Sequence, residues 1–213
     1  MKMMKAFFRK NTVVFSALVF LILSGKAFAL SDSDTQWNSI ETKHTVIRYQ
    51  SEKDLATFSK KIEFGEKEKF SVMSLLGFGK DRLISTVSAK VDAVYERAQE
   101  ILDMRRKMKK LTINIYHDAD QLQKTYTEIY KESCEVRAWY IFDQNTVYVQ
   151  ADDLHEGMLA HEMAHSIIDH YLLMSPPAAS AEILARYVDA NLHNKAIAGS
   201  AKKSSQSLSS FTE

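Results

Sequence analysis

Apolar residues recur at three- and four-residue steps along "DRLISTVSAKVDAVYERAQEILDMRRK", where Leu83, Val87, Val91, Val94, Ala98, Ile101 and Leu102 fall mostly on one face. That period predicts a long helix. Elsewhere the period drops to two. "KHTVIRYQ" (Lys43 to Gln50) and "LTINIYH" (Leu111 to His117) alternate β-branched or aromatic residues with polar ones and predict strands. "VRAWYIF" and "TVYVQ" are two further strand patterns, and the "DQN" between them has turn composition, so a β-hairpin is expected. "DADQLQKTYTEIYKE" returns to a helical pattern, with Asp118 in place to cap it. The next helix is expected to start in "ADDLHEG", where Asp153 and Glu156 are spaced like a capping box, and to run to about Met174, where "SPP" stops it. A last helix is expected from about Ala178 to His193. "SDSDTQWNSI" reads as an irregular lead-in and "LLGFGK" (Leu75 to Lys80) as a loop, while "SEKDLATFSKKIEFGEKEKF" is ambiguous. Strands and helices that alternate early, then a two-helix unit after a hairpin, indicate a small α+β domain.

The two ends of the chain do not fit that domain. Residues 1–29 combine a basic start, "MKMMKAFFRK", an apolar stretch, "NTVVFSALVFLILSG", and small residues at Ala27 and Ala29. This is the anatomy of a secretory signal peptide cut after Ala29. The uncharged stretch is about fifteen residues, short of the ~20 that a spanning helix needs, so no stable membrane anchor is expected after cleavage. The mature protein is then periplasmic or secreted. Residues 195–213, "KAIAGSAKKSSQSLSSFTE", are rich in serine and lysine and are expected to be disordered. The domain between them spans 30–194.

The chain has 213 residues, 46% hydrophobic and 26% charged, ordinary for a globular domain. Losing Lys2, Lys5, Arg9, Lys10 and Lys26 with the signal segment turns the formal net charge of +1 into −4. A mildly acidic surface argues against nucleic acid, which needs a clustered basic face. The single basic cluster, "MRRKMKK" (Met104 to Lys110), is read as a solvated helix C-terminus. Cys134 is alone, so no intrachain disulfide forms and the core must hold the fold.

Chemistry concentrates in "LAHEMAHSIIDHY" (Leu159 to Tyr171). On a helix, residues four apart lie about forty degrees apart around the axis, so His161 and His165 can point their rings at one ion. Neutral imidazoles suit Zn²⁺. Glu162 is offset on the helix, close enough to reach a metal-bound water but poorly placed to bind the metal, which is what a general base needs. The rest of this helix is apolar, and burial makes two histidines and a glutamate costly unless something pairs them. The competing reading is a core helix whose histidines find carbonyl partners, with Glu162 at the surface. A catalytic zinc usually has three protein ligands. A third histidine at the H-E-x-x-H-x-x-G-x-x-H spacing is excluded, because Ile168 and Tyr171 stand at those positions. Between His165 and the tail there is one glutamate, Glu182 in "PPAASAEILARYVDANL", and the double proline lets a second helix turn back and present it.

"LAHEMAHSI" followed by "PP…AEILARY" resembles the glutamate-zincins of the peptidase MA type, in particular the exported bacterial peptidase MA-like domains. "TKHTVIRY", "VYERAQEIL" and "LTINIY" sit in the order those domains use, so the resemblance covers most of the mature chain. It implies a zincin-like fold, a small mixed sheet beside a zinc-binding helix pair, with His161, His165 and Glu182 as ligands and Glu162 as base. Ile183 stands where the family has glycine, and Ser180 and Ala181 stand where a large apolar residue is common.

The expected activity is zinc-dependent hydrolysis of a peptide or protein substrate. The alternative is a catalytically silent zincin fold that binds peptides or an envelope partner, and a third reading is a structural domain without metal. Tyr171, Tyr187 and His193, with Arg186 behind them, are candidates for a second electrophile. Asp189 could orient a ligand histidine. "RAWYIF" or "TVYVQ" could offer an edge strand to substrate, and Trp139 and Tyr140 read as core or cleft wall. His44, His117 and His155 read as surface or cap residues; His170 and His193 lie close to the motif in sequence and could reach the site.

Overall fold

Period-two alternation builds a five-stranded mixed sheet in the computed structural model, which describes residues 36–64 and 79–194. The signal segment, the tail and most of the Leu75–Lys80 loop lie outside the described residues. The strands are β1 (Asn38–Glu41), β2 (Thr45–Tyr49), β3 (Leu111–Tyr116), β4 (Ala138–Ile141) and β5 (Thr146–Gln150), in the order β1-β2-β3-β5-β4. β2, β3 and β5 run parallel, and β1 and β4 flank them antiparallel. Among the described residues five helices accompany the sheet: α1 (Glu52–Lys60), α2 (Lys80–Leu102), α3 (Ala119–Tyr130), α4 (Glu156–Tyr171) and α5 (Ala178–Asn191). The protein is therefore α+β with a mixed sheet. Among the described residues no helix is long and apolar enough to cross a membrane.

Each face of the sheet has its own cover. Ile47, Ile113, Ile115, Val147 and Val149 point to the main core, where Leu55 and Phe58 of α1, Val87, Val91 and Val94 of α2 and the apolar side of α4 meet them. Tyr116, Tyr148 and Trp139 point the other way and pack with Leu122 and Tyr126 of α3. Every residue of β5 is buried, as a strand covered on both faces requires.

Most expected elements are present; the differences are local. The lead-in is not irregular throughout, because Asn38–Glu41 pairs with β2 through Ile40↔Ile47. Asp92 on α2 holds the intervening turn, accepting from the Thr42 hydroxyl at 2.7 Å and from the Lys43 and His44 backbone N–H groups at 3.0 Å. The ambiguous charged stretch begins as α1, capped by Ser51. α2 ends before the basic run: Asp103 takes the left-handed conformation (φ 54°), and the Met104 N–H reaches back to the Gln99 carbonyl. This closure satisfies the last carbonyls and turns the chain out, so Met104 to Lys110 form a loop and not a helix end. Asp118 caps α3 as expected. The Asp153–Glu156 capping box does not form. His155 caps α4 instead, its Nδ1 accepting the Met158 N–H at 3.0 Å, while Asp153 pairs with Arg137. α4 stops at Tyr171, three residues before Met174, with Leu172 already extended.

Candidate metal centre

The helix pair is built from two kinds of signal. Leu159, Ala160, Met163, Ala164, Ile167 and Ile168 are buried and fix which side of α4 faces the sheet. That leaves His161, Glu162 and His165 half-buried on the side that α5 approaches. Pro176 and Pro177 end the connection, and α5 starts directly after Pro177. Glu182 lies against the middle of α4, whereas Asp189, two turns later, lies against Gly157 at its start. The two helices therefore run antiparallel.

Three donor atoms converge between them. His161 Nε2 and His165 Nε2 are 3.2 Å apart, and Glu182 Oε2 stands 3.5 Å from each. A tetrahedral zinc site with bonds of about 2.0–2.1 Å has ligand–ligand edges of roughly 3.3–3.4 Å. The observed triangle has that size, and among the described residues it is the His/Cys/Asp/Glu group close enough to share one cation. The donor set fits zinc: two imidazoles and one carboxylate.

The protonation states suit ligands as well. Burial, and then the neighbouring His161, hold His165 below the usual histidine range, which keeps its ring neutral. A neutral ring 3.5 Å from a carboxylate is not an ion pair, and its Nε2 is free to offer a lone pair to a cation once the proton sits on Nδ1. Glu182 is held low chiefly by its hydrogen bond from Arg186, whose Nε donates to Oε1 at 2.6 Å. Arg186 thus occupies one carboxylate oxygen and leaves Oε2 facing the histidines. Glu162 is pushed up to about 7, first by burial and then by the Glu182 charge nearby. A carboxyl poised there can take or give a proton near neutral pH.

The sheet fixes α4 beside this cluster. Ser166 Oγ donates to Asn145 Oδ1 at 2.7 Å, and Asn145 Nδ2 donates to the Lys110 carbonyl. Asn145 adopts a left-handed turn conformation (φ 47°) in the β4–β5 hairpin. The Tyr140 ring packs on the main core and lies parallel to the His165 ring, centroids 6.5 Å apart; Trp139 stacks on Tyr148 in the second core. β4 is the edge strand, pairing with β5 alone among the described strands, and it runs along α4.

Other candidates are placed elsewhere. Asp189 is not beside a ligand ring: a Cβ added at Gly157 would collide with its carboxylate, which puts it at the α4 N-terminus. His193 Nε2 pairs with Glu156 Oε1 at 2.6 Å, and Tyr171 lies under the Arg106 guanidinium. His170 Nδ1 is 3.0 Å from the Ser166 carbonyl. Arg186 bonds Glu182, and Tyr187 is exposed on α5. His155 is a cap. His117 pairs with Asp54 at 2.6 Å, and His44 is no simple surface residue, since it stacks on Tyr95 and meets Glu96. The sequence reading missed the hold of Arg186 on Glu182; its signal was the i,i+4 spacing of opposite charges.

Compared with protein-family models, curated proteins and solved structures, the chain matches none.

Proposed function

We propose that this protein is an exported zinc metallopeptidase with a zincin-like fold of the peptidase MA type. The observation that carries the reading is the triangle of His161 Nε2, His165 Nε2 and Glu182 Oε2, sized for one tetrahedral ion. When bound, zinc supplies a Lewis acid that polarises the scissile carbonyl and lowers the pKa of a water to about 7. Glu162 accepts the proton of the attacking water at its carboxylate and returns it to the departing amine nitrogen. Arg186 holds Glu182 in place, and Ser166, through Asn145, fixes the stretch of α4 that carries His165. The outer edge of β4, beside α4, suits an extended peptide backbone added as a further strand.

The test uses purified chain: elemental analysis, digestion of a mixed peptide library with and without chelator, and the same digestion with Glu162→Gln. One zinc per chain, chelator-sensitive cleavage, and a Glu162→Gln protein that keeps zinc but loses about 10²–10⁴ in turnover are expected. Zinc without cleavage reassigns the chain to a silent, peptide-binding zincin. Chelator-resistant cleavage, or full turnover by Glu162→Gln, overturns the mechanism.

A further inference from the structure

The strand register gives the domain two chemically different ends. Thr45 pairs with Leu111, and Thr112 with Thr146, so the three parallel strands begin at one end and finish at the other. Beyond their finishing end follow Glu52 after β2, paired with Lys80 and next to the exposed Lys53, Asp118 and Asp120 after β3, and Asp152 and Asp153 after β5, of which Asp153 pairs with Arg137. The starting end carries the Met104–Lys110 loop, which enters β3, and the turn that follows β4.

At the starting end the α4 C-terminus joins this loop. Arg106 donates to the His170 carbonyl and lies with its guanidinium 4.9 Å from the Tyr171 ring centroid. The Phe142 ring, from the β4–β5 turn, meets His170 at 5.9 Å. Directly after α4 the chain exposes Leu173 completely and Met174 at 84%, and Phe142, against His170, is 50% exposed. Arg105 and Lys110 are paired with Glu100 and Glu41, whereas Lys107 and Lys109 are exposed. The nearby exposed acids are Glu41, held by Lys110, and Asp103 and Asp143.

We propose that this end docks on an anionic phospholipid bilayer. Leu173 and Met174 enter the headgroup boundary, and Arg106, Lys107 and Lys109 meet the lipid phosphates. The charge asymmetry selects the orientation: an anionic surface attracts the loop before β3 and repels the carboxylates beyond the opposite ends of the strands. The shape selects the partner. A small protruding apolar tip flanked by exposed lysines fits the headgroup boundary, where apolar side chains insert while cations meet phosphate. Tyr171, an amphipathic ring under a guanidinium, suits the same boundary. Docked this way, α4 rises from the surface, and His165, six residues before Tyr171, stands about 9 Å further along the helix. The proposal stands whether or not a metal is bound.

The test is co-sedimentation of residues 30–213, which contain the whole described fold, with vesicles of phosphatidylcholine alone or phosphatidylcholine with phosphatidylglycerol. Binding to the anionic vesicles only is expected. Lys107→Gln with Lys109→Gln should weaken it about 20- to 30-fold, from roughly 1 kcal/mol per basic residue at the surface. Leu173→Ser with Met174→Ser should leave the melting temperature unchanged and abolish the binding that survives in high salt. No binding by the unaltered protein, equal binding to neutral vesicles, or full binding by the Leu173 and Met174 variant overturns the proposal. So does self-association in sedimentation velocity that the same variant abolishes, which assigns the tip to a second copy.

Discussion

At the end of β3, His117 Nδ1 and Asp54 Oδ1 lie 2.6 Å apart; between α4 and α5, the donor atoms of His161, His165 and Glu182 stand 3.2–3.5 Å apart. Both groups join imidazole to carboxylate, yet they are opposite in kind. Asp54 is only 4% exposed, and its second oxygen accepts from Ser51 Oγ at 2.6 Å. Its hydrogen bond to His117, and then its charge, raise the histidine, so a proton completes this cluster. In the other, burial lowers His165 and Arg186 keeps Glu182 ionised. Three donor atoms converge there at a spacing that suits a divalent cation. The shorter contact serves the fold, and the longer ones are the candidate for chemistry.

Metal should separate the two clusters most sharply. At a hundred times its dissociation constant, zinc is expected to add about 2.7 kcal/mol to the stability of the unaltered protein, or roughly 5–10 °C in melting temperature. His165→Ala or Glu182→Ala should remove that response, and a zinc-induced shift that survives either change excludes the triangle as the binding site. Arg186→Ala should weaken zinc affinity 10- to 100-fold, as loss of a residue that orients a ligand does. An unchanged affinity in a competition titration would leave Arg186 without a positioning role. Asp54→Ala acts on the other cluster. It should cost about 1.5–3 kcal/mol in urea unfolding, equally with and without zinc, and a zinc-dependent cost would erase the contrast.

The smallest effect expected is on pH dependence. The folded value of His117 is raised above the ordinary 6.5, so the stability from its pairing is fully present below about 6.5 and fades as pH rises through the higher folded value. Unfolding free energy should fall across that window, and His117→Gln should flatten the fall. A slope identical in the variant would assign the dependence to other groups.

Periodicity made the strands, the hairpin and the helix pair legible, because a half-buried strand or an amphipathic helix writes its own pattern. The three donors were legible through spacing on one helix and through Glu182 being the single glutamate available afterwards. What escaped has a common physical cause. The end of α2 depends on Asp103 accepting a left-handed backbone, which no hydrophobic pattern records. The cap of α4 fell to His155 because Asp153 is taken by Arg137 and Glu156 by the backbone of Glu63 and Phe64. β1 is a short edge strand with one buried residue, so alternation had almost nothing to show. Asp189 shares a helix face with Glu182 but sits two turns further along, and facing direction alone does not give depth.

The buried side of α4, from Leu159 to Ile168, belongs to a continuous apolar core in which neither ligand histidine takes part. On the proposed reading, acquiring shape and acquiring an ion would be separate events. Such a chain would finish folding before it met any zinc and be loaded afterwards from its surroundings, and stripping the ion should then silence the proposed activity without unravelling the fold.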